Sequence, residues 1–314
     1  MSFKSRFAKA ITRASHIGFD ATRKDGQQLR DLEQSMNWLL HEGHSGNIND
    51  LVSYVGLLRE CIEPMKCACT DVKGNDRPQS DAEKQFRSFI ASLRERLSPI
   101  PPATAMRVAK IADDYRGPRF CVGARGKIPI SHHFAIASSA GRKGRLLSAA
   151  VKFFQPHRIV ELGTAYGISS LFMGYALEEL EVENDAPIIH TLEGFEPQAT
   201  LSKELLQREL GKLVQCVHGR ADQALASLAK SAGEIDFVFH DAGHSYDDYL
   251  HDFTALLPHM KSGSILLLDD IRWDDPRYVT RPARTYEGWQ AVIAHPRIRC
   301  ASEIDTALGA ALIV

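Results

Sequence analysis

The sequence predicts an α/β protein, with a mostly parallel sheet carrying helices on both faces and a helical domain in front of it. Three observations lead there. Strand-like apolar runs alternate with helix-like stretches through the second half of the chain, the rhythm of βαβ units. The first hundred residues instead repeat their apolar positions at helical spacing, as an all-helical segment does. Between the halves, Ser98-Pro-Ile-Pro-Pro102 interrupts the helical pattern, because proline lacks an N–H and restrains the residue before it.

Composition narrows the possibilities. A chain of 314 residues exceeds what one hydrophobic core usually supports, so two domains are expected. A formal net charge of -1, with 44% hydrophobic and 25% charged residues, argues against a nucleic-acid backbone as the main partner. Six cysteines in so long a chain do not make a disulfide framework, and a reducing cytoplasm is the expected setting. No apolar run reaches the roughly 18 residues of a membrane span.

The elements follow in order. The basic stretch Met1 to Lys24 places Phe3, Phe7 and Ile11 on one face. It reads as an amphipathic first helix, with a transit peptide or a membrane-surface helix as the alternatives. Leu29, Leu32, Met36, Leu39 and Leu40 share a face, as do Phe86, Ile90, Leu93 and Leu97. The polar stretch Asp71 to Asp81, with Gly74, Asn75 and Pro78, reads as a loop between helices. The expected division is a helical accessory domain over 1–100, acting as lid or dimer interface, a connector over 101–131, and the sheet domain over 132–314. Cys61, Cys67 and Cys69 with His41 and His44 match no strong zinc spacing, so free cysteines are expected. Arg116, Arg119 and Arg125 lie in an Arg- and Gly-rich connector and read as solvated charges, with an anion grip as the alternative.

Six strands are expected in the second half: Arg158–Leu162, Pro187–Leu192, Val214–His218, Ile235–His240, Ser264–Leu268 and Ala307–Val314, the last antiparallel or at an edge. The first runs through Glu161 and Leu162 into a turn with Gly163, Thr164 and Gly167, and a helix from Leu171 to Leu180 follows. Glycines there allow a tight turn and leave room for a ligand against the backbone. The glycine spacing does not fit the dinucleotide fingerprint. The second strand ends in Glu193, 30 residues after Gly163, where an acid can bind ribose hydroxyls. The fourth and fifth end in Asp241 and Asp269-Asp270, at the edge where open α/β sheets bind ligands.

Glu161-x-Gly163-x-x-x-Gly167 resembles the first motif of the class I methyltransferases, which use S-adenosylmethionine (SAM). The resemblance spans about residues 135–314 and implies a Rossmann-like class I methyltransferase sheet. It implies that Glu161, Gly163, Thr164, Gly167 and Ser169 hold the methionine end of SAM and that Glu193 holds its ribose. It also implies that Arg220 and Ala221 border the adenine. Asp222 is a candidate helix N-cap beside them. Ser139, in Ser138-Ser-Ala-Gly-Arg-Lys-Gly-Arg-Leu-Leu147, is expected near the cofactor by the same resemblance.

Asp241, Asp269 and Asp270 resemble the metal-binding acids of the catechol and caffeoyl-CoA O-methyltransferases and their bacterial tailoring relatives. Three carboxylates suit a divalent ion such as Mg²⁺. Asp269-Asp270 stands where the plant-type members show Asp-Asn, which marks a tighter metal site or a different subgroup. Asp241 is expected beside SAM as well. With His244, a side chain that titrates near neutrality, it forms the expected catalytic pair. Helix capping by Asp241 is the plain alternative, and Tyr246 and Trp273 are either pocket walls or packing.

The resulting expectation is methyl transfer to a hydroxyl of a small or medium-sized molecule, assisted by a metal, in a cytoplasmic homodimer. The alternatives are a metal-free N- or O-methyltransferase and a SAM-binding protein without turnover. The sequence contains no Asn-Pro-Pro-Tyr-type base-flipping motif.

Overall fold

The computed structural model describes residues 65–74, 80–101, 120–123, 126–129, 141–182, 185–273, 283–305 and 307–314, with isolated positions between 104 and 111. The helical faces before residue 65, His41, His44, Cys61, the three connector arginines and Ser139 lie outside the described residues.

The strands form where apolar runs can be covered on both faces. β4 (Ile159–Leu162) is buried at every position, and so are β5 (Ile189–Glu193) and the last five residues of β8 (Met260–Leu268). Near-continuous apolar runs are what parallel strands between two helical layers require. Together with β6 (Val214–His218) and β7 (Ile235–His240), these strands make the parallel centre of an eight-stranded sheet. Its order is β1-β9-β10-β8-β7-β4-β5-β6, with β1 at Cys69–Lys73, β9 at Ile298–Ile304 and β10 at Leu308–Ile313. β10 runs antiparallel between β8 and β9, so the last strand is interior rather than at the edge. Phe120–Gly123 (β2) and Gly126–Pro129 (β3) pair as a separate hairpin within the segment expected as a connector.

Two expectations are corrected here. The stretch from Asp71 does not begin a loop, because Cys69–Lys73 pairs antiparallel with β9 as the sheet's edge strand. Lys73 Nζ also donates to the carbonyl of Ile293 at 2.6 Å. The sheet's own unit also begins before Pro102. Helix α1 (Asp81–Glu95) starts from a capping box in which Ser80 Oγ accepts the Glu83 N–H and Glu83 Oε2 accepts the Ser80 N–H. It buries Phe86, Phe89, Ile90 and Leu93. Phe89 packs on Phe153 and Phe154, at ring centroids 5.3 and 4.8 Å, in helix α2 (Arg142–Phe154). The proline-rich segment is thus a link inside the α/β unit.

The remaining helices alternate with the strands: α3 (Ile168–Glu179), α4 (Glu196–Leu210), α5 (Ala221–Ala232), α6 (Tyr246–Leu256) and α7 (Thr285–Ala294). α3 is buried on all sides from Ile168 to Leu177, the mark of a helix inside a core rather than on a surface. From β4 the chain steps outward to β5 and β6, then returns to lay β7 on the other side of β4. That reversal opens a crevice beyond the carboxyl ends of β4 and β7.

Candidate functional site

The turn after β4 is built to approach its neighbours closely. Gly163 has φ +90, and a Cβ there would lie 2.0 Å from the carbonyl oxygen of Asp241, after β7. Only glycine fits that contact and that backbone. Gly163 N–H donates to Leu192 O at 2.9 Å, and Asp241 N–H donates to Leu162 O at 2.8 Å. The turns after β4, β5 and β7 are therefore tied together. Gly167, with φ +80, is the N-cap of α3 and provides no side-chain hydrogen bond, so the first N–H groups of a buried helix face the crevice end of the sheet.

Glu193 closes β5 and is 9% exposed. Its Oε2 accepts the Ala165 N–H at 2.7 Å and its Oε1 accepts the Phe195 N–H at 2.8 Å. Each oxygen keeps a second lone pair for a hydroxyl donor. Thr164 and Glu193 border one recess with Ser202, Lys203, Cys216 and His218. Phe195 is one of two large apolar side chains exposed among the described residues. It stands two residues past Glu193, and the sequence reading missed it because a single aromatic carries no periodic signal.

Glu161 is fully buried within β4. Its Oε2 accepts from Thr191 Oγ1 at 2.6 Å and from Ser170 Oγ, and Ser169 also hydrogen-bonds to it. Thr164 Oγ1 in turn meets Thr191 Oγ1. Burial pushes the Glu161 carboxyl up to about 6, against the pull of these hydroxyls. Its Oε1 is buried with no hydrogen-bond partner among the described residues. Glu161, Ser169 and Thr164 thus form a hydroxyl-lined network beneath the turn.

Arg220 is the N-cap of α5 and pairs through Nε with Asp222 Oδ1 at 3.1 Å. Asp222 lies within the first turn of α5, so it is not the N-cap. Ala221 begins that helix, partly buried, beyond the end of β6.

The acidic edge is arranged differently from the expectation. Asp241, His244 and Asp270 each offer a ligand atom within 4.8 Å of the others. Helix α6 is capped by Ser245, whose Oγ accepts the Asp248 N–H, so Asp241 is not needed as a cap. Asp270 holds φ +52, a left-handed backbone that Asp tolerates better than most residues. The Tyr249 hydroxyl donates to the carbonyls of Asp269 at 2.7 Å and Asp270 at 3.2 Å, which fixes the turn. His244 stacks on Trp273 with ring centroids 5.2 Å apart, and its Nδ1 lies 3.7 Å from Asp270 Oδ2. Burial lowers the His244 pKa, with Asp270 opposing.

Asp269 does not join this group. It is 1% exposed, and its Oδ2 is taken by Lys143 Nζ from the first turn of α2. Lys143 Nζ also lies 3.5 Å from Asp241 Oδ2. Burial and Asp241 push the Asp269 carboxyl up, while Lys143 holds it down. The expected set of three carboxylates around one divalent ion does not fit this arrangement, because an ammonium stands between two of them. Sequence reading placed Lys143 in the Ser138–Leu147 segment but gave it no role, because it lies far from the acids along the chain.

Comparisons with known proteins bear on the family and the fold. Residues 160–271 match a family model described as a methyltransferase domain. A protein of Mycobacterium tuberculosis named as a probable O-methyltransferase, Rv1703c, is 31% identical over 139 residues, covering 41% of this chain and 56% of that protein. An uncharacterised protein of Sinorhizobium fredii, y4gI, is 27% identical over 151 residues, covering 46% of this chain and 16% of its own length. The chain thus spans about half the length of one of these curated relatives and far less of the other. Among solved structures, the SAH-bound methyltransferase PaMTH1 of Podospora anserina superposes with a TM-score of 0.53 at 19% identity, over 77% of this chain and 99% of its own. That likeness carries the fold. The sheet has the fold of that SAH-bound methyltransferase, and residues 160–271 match a methyltransferase domain within it.

Proposed function

We propose that this chain transfers a methyl group from SAM to a hydroxyl of a small or medium-sized acceptor. The observation that carries the reading is the carboxylate of Glu193. It is held by two backbone N–H groups at the end of β5, beside the Gly163 to Gly167 turn at the sheet's switch point. Such a carboxylate suits the two hydroxyls of a ribose. The exposed ring of Phe195 suits the flat face of an adenine. The O-methyltransferase name of the Mycobacterium relative favours oxygen over nitrogen as the acceptor atom.

The chemistry asks for orientation more than covalent help. The acceptor oxygen attacks the methyl carbon in line with the carbon–sulfur bond. That bond breaks, its electron pair stays on sulfur, and the positive sulfonium becomes a neutral thioether. The acceptor's proton goes to His244, whose pKa burial lowers, so that its imidazole is held toward the neutral, proton-accepting form. Asp270, 3.7 Å away, balances the charge that His244 then carries.

The test is formation of S-adenosylhomocysteine from SAM with a panel of catechols, hydroxycinnamates and related phenols. Turnover that depends on the acceptor is the expected result. No acceptor-dependent turnover with any hydroxyl compound, alongside turnover on amines, would overturn the oxygen assignment.

A further inference from the structure

We propose that Lys143 is the resident cation of this site, so that the reaction runs without a divalent metal ion. The inference rests on the methyl-transfer reading above and goes beyond it, because it says where the positive charge beside the acceptor comes from.

The position of Lys143 is built rather than incidental. It is the second residue of α2, and its neighbours in Arg142-Lys-Gly-Arg145 are all committed. Arg142 Nη2 donates to Asp305 Oδ1 at 3.2 Å. Arg145 is 1% exposed and donates through Nε to the Ser98 carbonyl at 3.0 Å. A Cβ on Gly144 would lie 2.3 Å from the Phe172 ring, so α2 seats directly on α3. With both flanks fixed, Lys143 has one way to go, over the carboxyl ends of β7 and β8. There it meets the most deeply buried acid of the cluster, Asp269, and the neighbouring Asp241.

The charge balance points the same way. Asp269 is too buried to remain ionised without a partner, and Lys143 is that partner. An ammonium carries three N–H donors, and its partners among the described residues are Asp269 and Asp241. The third donor, on a side chain one-third exposed, can meet the acceptor oxygen as it loses its proton. A divalent ion between Asp241 and Asp269 would have to displace this lysine from both carboxylates. Asp241, His244 and Asp270 offer a second place for an ion, and occupation of that place is the outcome that would contradict the proposal.

The experiment uses the full chain and Mn²⁺ as the probe. Free Mn²⁺ is counted by its paramagnetic resonance signal in wild type, Lys143→Met and Lys143→Arg, and each sample is titrated with SAM by calorimetry. Wild type and Lys143→Arg are expected to bind no Mn²⁺ up to millimolar concentration. Lys143→Met, which leaves Asp241, Asp269 and Asp270 without the ammonium, is expected to bind it at least tenfold more tightly. With an acceptor in hand, wild-type turnover is expected to be unchanged by a chelator. Mn²⁺ binding by wild type with SAM binding intact would overturn the proposal, even if Lys143→Met fails to fold. No Mn²⁺ binding by a folded Lys143→Met would also overturn it, since the acids would then form no cation site for the lysine to replace. Failure of wild type to bind SAM would sink the methyl-transfer reading instead, and calorimetry reads that separately.

Discussion

The carboxylate of Glu193 accepts the backbone N–H of Ala165 at 2.7 Å, joining the end of β5 to the turn after β4. Ala165 has φ +45, a left-handed conformation that costs an ordinary residue about 1 kcal/mol or more. The acid therefore both shapes the turn and faces the crevice.

Glu193→Gln keeps one acceptor oxygen but loses the charge. It is expected to weaken SAM binding about ten- to hundredfold, the range for losing a charge-assisted hydrogen bond. Thermal stability should fall less, because the amide oxygen can still take one backbone N–H. Calorimetry and a melting curve on the same sample separate the two effects.

Gly163→Ala places a Cβ against the Asp241 carbonyl, on a backbone with φ +90. The clash and the dihedral together are expected to cost about 2–4 kcal/mol. A melting point lowered by roughly 5–15 °C, with SAM binding lost, is the expected outcome. An alanine variant that melts like wild type would contradict the close approach of these turns.

Glu161 gives stability a pH dependence of known sign. Its carboxyl is raised from 4.5 to about 6 in the folded chain. The folded state thus favours the protonated form, and stability is fully present below about pH 4.5 and lost as the pH rises through about 6. The loss is roughly 2 kcal/mol for a shift of this size. Glu161→Gln does not titrate, so the difference in urea midpoint between wild type and variant should change across pH 4.5 to 6.5. A constant difference would count against the buried carboxyl. SAM is left out, since it binds next to this network in the proposed reading.

His244→Gln removes the proposed proton acceptor but retains a polar side chain. Turnover is expected to fall about a hundredfold or more, with SAM affinity within a few-fold of wild type. Unchanged turnover would move the proton to another group.

The parallel centre of the sheet was legible because β4, β7 and the end of β8 are mostly apolar, as strands covered on both faces tend to be. β9 was not, because its sequence carries Arg299, Ser302 and Glu303. Those residues are matched only through the fold: Arg299 by Glu83, Ser302 by Asp71 and Glu303 by Arg272. β1 was hidden for a similar reason, since an edge strand with Asp71 and Lys73 reads as polar loop until its partners are known. The glycine turn and Glu193 were visible from spacing, because a tight turn needs glycine at fixed positions. Of Asp269 and Asp270 the sequence could not say which turns inward. That depends on the left-handed backbone at Asp270 and on a lysine brought over from α2.

The most direct test of the account is calorimetric titration of the wild-type chain with SAM. One saturable site per chain is predicted, tightened by the crevice geometry of Gly163, Gly167 and Glu193 and weakened by Glu193→Gln. A folded wild-type chain that gives no heat with SAM or with S-adenosylhomocysteine would contradict the central claim.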